Sequence, residues 1–162
     1  MVEPRCDDRS GPPARSWRKR GAAAEAIGHS RGGASTKIHL IVDALGLPIA
    51  FEITEGQRHD NQPAPRLIGS THPRCLLADR AYDSNAIRTQ LADMGAVAVI
   101  PSKVNRVAPI PYDKELYKAR SAIECTFNLL KQSRRLATRY EKTLRNFASI
   151  VALGCALCWL RI

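Results

Sequence analysis

The stretch that most restricts the fold lies between residues 36 and 54. Ile38, Leu40 and Val42 alternate with Lys37, His39 and Ile41, Asp43-Ala-Leu-Gly46 reads as a turn, and residues 47–54 read as a second strand. An apolar/polar period of two cannot lie on a helix, so this segment predicts a β-hairpin with one face toward a core. Pro48 then belongs at a strand start or edge, because it cannot donate to a ladder.

Beyond the hairpin, short strands alternate with helices. Residues 56–65 read as polar loop, and Cys75-Leu-Leu-Ala78 reads as a short buried strand ending at Asp79. Ser84 is an N-cap candidate for a helix to about Met94 that Gly95 ends, and residues 96–100 form another strand closed by Pro101. After a basic loop at 103–111, the pattern predicts one long helix over 113–133 and a last, largely apolar helix over 144–160. The order predicts an α/β fold with a mixed sheet. Residues 1–34 hold Pro4, Pro12, Pro13 and the cluster Arg18-Lys19-Arg20 without a sustained apolar period, and read as an irregular, disordered basic arm before a domain at 35–162.

The chain carries 25 Lys and Arg against 15 Asp and Glu, a net charge of +10. The excess is +4 over residues 1–40, −2 over 41–100 and +8 over 101–162. A basic C-terminal part beside a mildly acidic centre suits metal-dependent chemistry on a polyanion, although surplus cations also serve solubility alone. Five cysteines form an odd set with no secretory segment ahead of them, which predicts thiols in a reducing cytoplasm. Cys155 and Cys158 sit inside an apolar helical run, where packing is the favoured reading over a zinc site. The apolar run 147–160 falls short of the roughly 20 residues that a membrane span needs.

On the predicted long helix, Leu116, Ile123, Phe127 and Leu130 fall in one narrow arc and form the expected core face. Tyr117, Arg120, Glu124 and Lys131 make a second stripe beside it. Taken alone, Arg120 and Glu124 are an i, i+4 ion pair on a solvated flank.

This stripe resembles the signature around the catalytic glutamate of DDE transposases of bacterial insertion sequences, and most closely the insertion sequence five family. Leu77-Ala-Asp79-Arg-Ala-Tyr82-Asp83 is similar to the strand-end motif that holds the family's second catalytic aspartate, and residues 30–46 are similar to its hairpin. The resemblance covers about residues 21–160. It implies a ribonuclease-H-like core in which carboxylates from different elements bind two magnesium or manganese ions, one activating the nucleophile and one stabilising the leaving oxygen. Asp79 and Glu124 would be two of three catalytic, metal-binding carboxylates. Lys131, Arg134, Arg135 and Arg139 would meet DNA phosphates, while Tyr117 and Arg120 would position the strand or the glutamate.

The family's first aspartate lies on a strand ahead of the hairpin, in a segment reading Asp-Ser-Thr. Asp7 and Asp8 are the only upstream aspartates here, and Arg9-Ser-Gly-Pro-Pro13 beside them has no β-pattern. The expectation is a truncated core lacking its first strand, with an incomplete two-metal site. The chain reads as the downstream part of a split element, joined to an upstream frame by translational frameshifting or left as a remnant. Two functions are then open: a transposase catalytic part that cuts and joins element ends, or a catalytically dead DNA-binding remnant. Both imply double-stranded DNA as partner, no membrane and a cytoplasmic, nucleoid-associated setting, with a homo-oligomer as the working form of the enzyme. His59-Asp60 reads equally as a metal-leaning pair or a loop-stabilising turn.

Overall fold

The computed structural model of the chain describes residues 5–7, 25–30 and 33–160. The hairpin forms as its pattern requires. Strand β3 (Gly33–Val42) pairs antiparallel with β4 (Pro48–Glu55), Ile38 facing Ile53 and Leu40 facing Phe51. The turn is built by Asp43, whose carboxylate accepts from the N–H groups of Leu45 at 2.9 Å and Leu47 at 2.8 Å. Gly46 takes φ +82, a left-handed conformation costly to other residues.

Because successive side chains point to opposite faces, β3 divides two cores. Ile38 and Leu40 pack with Ile123, Phe127, Leu130, Phe147 and Val151 on one side. Ile41 packs with Leu67, Ile68, Leu76, Tyr82, Ile87 and Ile100 on the other. The second core covers a βαβ unit, in which β5 (Cys75–Leu77) and β6 (Val97–Val99) run parallel and α2 (Asn85–Asp93) makes the crossover. Ser84 caps α2 by accepting from Ile87 N–H, and Gly95, at φ +68, ends it. The α/β composition is as expected. Among the described strands, however, the antiparallel and parallel pairings fall in two sheets rather than one mixed sheet.

Four expectations need correction. Residues 1–34 are not irregular throughout: β1 (Arg5–Asp7) and β2 (Gly28–Ser30) both pair antiparallel with β3. The prolines that argue against a strand flank β1 without entering it, a placement the ladder tolerates. The rest of the expected arm, with Asp8 and the 18–20 cluster, lies outside the described residues.

A helix α1 (Ala64–Thr71) stands where the polar loop was expected to run on to Pro65. Its prolines occupy the cap and first turn, where no N–H is needed, and Ala64, Leu67 and Ile68 are buried.

The single helix over 113–133 is two, α3 (Lys114–Lys118) and α4 (Ser121–Lys131). The chain tightens between them to i to i+3 bonds, Ala119 N–H to Leu116 O and Arg120 N–H to Tyr117 O. Helix α4 is docked by Ile123, Phe127 and Leu130, and by Thr126 Oγ1 donating to Gly46 O at 2.5 Å. Helix α3 buries nothing, and Leu116 is exposed rather than part of the core face.

A short α5 (Arg134–Ala137) follows, then α6 (Leu144–Trp159), which buries Phe147, Val151, Cys155 and Cys158. Both cysteines pack in the core, and burial, with Cys158 adjacent, pushes the Cys155 thiol up to about 11.

The fourth correction concerns Arg139, expected at DNA phosphates. It is buried, lies over the Phe147 ring at 4.8 Å, and donates to Glu25 O, Ala26 O and Thr36 Oγ1. The acceptors come from residues more than a hundred positions away, so sequence spacing carries no sign of them.

Candidate functional site

Asp79 follows β5, at the edge where both parallel strands end. It is half-buried, and its Oδ1 accepts from Ala81 N–H at 2.9 Å, capping a 3₁₀ turn over Arg80–Tyr82. Glu124 lies in the first turn of α4 and is reached by Arg120 Nη2 at 2.5 Å. The Arg120 guanidinium sits 5.5 Å from the Tyr117 ring centroid, and Tyr112 meets that ring edge-on at 5.4 Å. The three-residue closure between α3 and α4 explains the stacking, since residues i and i+3 eclipse in 3₁₀ geometry. Tyr117, Arg120 and Glu124 therefore form one chain of contacts. Lys131, Arg134 and Arg135 are exposed on the following turns, with Arg135 4.0 Å from Glu141.

A cleft of about 500 Å³ has Leu77, Arg120 and Ile123 in its wall, so the strand leading to Asp79 and the helix carrying Glu124 border one depression. Among the described residues no hydrogen bond or ion pair joins Asp79 to Glu124, and no group of three or more His, Cys, Asp or Glu side chains could hold a metal ion. Both carboxylates are also engaged, one by a backbone N–H and one by Arg120. The described donors do not assemble a metal centre.

Asp83, the last residue of the motif that carries Asp79, is a buried hub. Its carboxylate accepts from Arg88 Nε at 2.7 Å, Arg106 Nε at 2.9 Å, Arg106 Nη2 at 3.0 Å and Lys103 N–H at 2.9 Å. Burial pushes its pKa up, and the bonds from Arg106, Lys103 N–H and Arg88 more than offset this, holding it down at about 2. The partners lie 5 to 23 residues away, and only the basic character of the 103–106 loop hints at them.

Under the hairpin, Asp60 pairs with Lys37 Nζ at 2.8 Å, so it pins the 56–62 loop to β3. His59 is exposed. His39 is fully buried, with Nε2 2.8 Å from Thr54 Oγ1 and no hydrogen-bond partner for Nδ1 among the described residues. Burial drives its pKa down to about 4, with Asp60 opposing and Lys37 and Arg58 adding to the shift.

Residues 8–159 match the family model of the transposase DDE domain. The chain belongs to that family. It is 42% identical over 129 residues to a protein of Brucella ovis named for transposition of insertion sequence element IS6501, an alignment covering 78% of this chain and 99% of that protein. It is 31% identical over 137 residues to a Burkholderia cepacia protein named for transposition of element IS402, covering 76% of this chain and 63% of the relative. No solved structure matches. The DDE family works in DNA transposition, which makes DNA the partner, and generally uses a divalent metal ion. No described helix is long and apolar enough to cross a membrane.

Proposed function

We propose that this chain is a DNA-engaging part of an insertion-sequence transposase with a ribonuclease-H-like domain, and that it contributes Asp79 and Glu124 to cutting and joining element ends. The observation that carries the reading is the Tyr117–Arg120–Glu124 chain of contacts, at 5.5 and 2.5 Å, on a helix whose next turns carry exposed cations. Tyr117 supports the guanidinium from its ring face, and Arg120 holds the Glu124 carboxylate in one orientation. Lys131, Arg134 and Arg135 take the phosphates of duplex DNA. A third carboxylate, beyond Asp79 and Glu124, completes the catalytic centre, with magnesium or manganese as its metal. The working complex is a homo-oligomer at the nucleoid.

A second reading, a chain that binds DNA without cutting it, is favoured by one observation: both carboxylates already hold other partners. Gel shifts and nicking assays on element-end duplexes separate the two. The 162-residue chain should bind with an affinity that falls steeply with salt and should not nick with magnesium or manganese. A fusion to a segment that supplies the third carboxylate should nick, and Asp79→Ala or Glu124→Ala in that fusion should abolish cleavage while sparing binding. A flat salt response refutes the phosphate contacts; a fusion that binds and never cuts leaves the second reading standing.

A further inference from the structure

The loop leaving β6 is built to hold its tip still. Ser102 Oγ accepts from Ile110 N–H at 2.9 Å, closing the base of the loop. Inside, Lys103 O accepts from Arg106 N–H at 3.1 Å, and Asp83 holds the Lys103 amide and the Arg106 guanidinium together. The tip so fixed exposes Val104 at 89% and Val107 at 101%, three residues apart with Arg106 between them and Lys103 in front. Single exposed apolar side chains are ordinary, but two β-branched ones on a clamped, cationic loop form a small mixed surface.

That surface has a defined place. Strands β5 and β6 are parallel, so the loop after β6 leaves the same sheet edge as Asp79 after β5. Arg80, Arg88, Lys103 and Arg106 stand there against Asp79 and Asp83, an excess of two positive charges. Arg106 spends Nε and Nη2 on Asp83, which leaves Nη1 for an anion. A depression of about 450 Å³ between Asn85, Asn105 and Val107 adjoins it.

Resting on the reading that duplex DNA is the partner, we propose that the loop over residues 103–107 seats on that duplex, with Lys103 and Arg106 against phosphates and Val104 and Val107 against apolar sugar and base edges. Cations beside flush methyl groups complement a groove wall, where phosphate charge borders apolar atoms. The surface is separate from the Lys131, Arg134 and Arg135 stripe and gives the chain a second grip on DNA beside Asp79.

The two kinds of contact respond differently to salt. Phosphate contacts release counterions, at a slope of about −0.9 per contact, whereas apolar contacts do not. The Val104→Ser/Val107→Ser pair, on side chains that support no core, should keep the wild-type thermal unfolding curve. It should lower duplex affinity about tenfold at every salt concentration with an unchanged slope. Lys103→Ala should flatten the slope by about 0.9. Wild-type affinity in the serine pair at all salt concentrations overturns this inference alone. A wild-type chain that binds no duplex overturns it together with the proposed function.

Discussion

Acidification should weaken this fold through one imidazole. His39, on strand β3, is wholly buried, and that burial lowers its pKa to about 4 against an ordinary 6.5. The unfolded chain therefore takes up a proton at His39 before the folded one does, and stability is lost as pH falls from about 6.5 to about 4. From those two values the loss is about 1.2 kcal/mol near pH 5.5 and about 2.4 kcal/mol near pH 4.5, relative to neutral pH. Urea unfolding at the three pH values should show those losses. In His39→Gln, which keeps a polar group near Thr54 but cannot titrate, the pH dependence should shrink by the same amounts. Because carboxylates shared by both proteins cancel in the comparison, identical pH slopes for wild type and His39→Gln between about pH 6.5 and 4.5 would refute the reasoning.

Asp83 gives a second, lower window: its folded pKa is depressed to about 2, so its contribution is present above about pH 4 and is lost as pH falls toward 2. Asp83→Asn, which leaves Arg88 and Arg106 facing an uncharged amide, should cost about 3 kcal/mol in denaturant unfolding at neutral pH and abolish that window. Arg139→Gln should cost about 3 kcal/mol by freeing carbonyls it now satisfies, while the salt slope of DNA binding by the folded fraction stays as in wild type. A reduced slope in that variant would return Arg139 to the phosphate contacts.

What the sequence reveals of the fold is set by physical range. The hairpin is legible because alternation, the Asp43 turn and Gly46 all act within a dozen residues. The α2 boundaries are legible because Ser84 and Gly95 are local signals. Helix α1 hides behind Pro63 and Pro65, which read as breakers until their place in the first turn is known. Leu116 fits the helical period of the core face, yet the tightening at Ala119–Arg120 breaks that period, and tightening has no signature in residue types. At the candidate site, the Arg120–Glu124 pair is predictable from spacing alone. Asp83 and Arg139 are not, because the identity of a charge says nothing about whether distant carbonyls and guanidinium groups will enclose it.

Arg139 also sets an order in time. It ties the backbone of Glu25 and Ala26 to β3 and the C-terminal helices across 113 and 114 positions. During synthesis the Glu25 carbonyl therefore gains this partner only after residue 139 has left the ribosome, whereas Ala26 O is already held by Thr36 Oγ1. A product ending before residue 139 has every residue of the hairpin, yet the Glu25 carbonyl has lost the guanidinium that holds it.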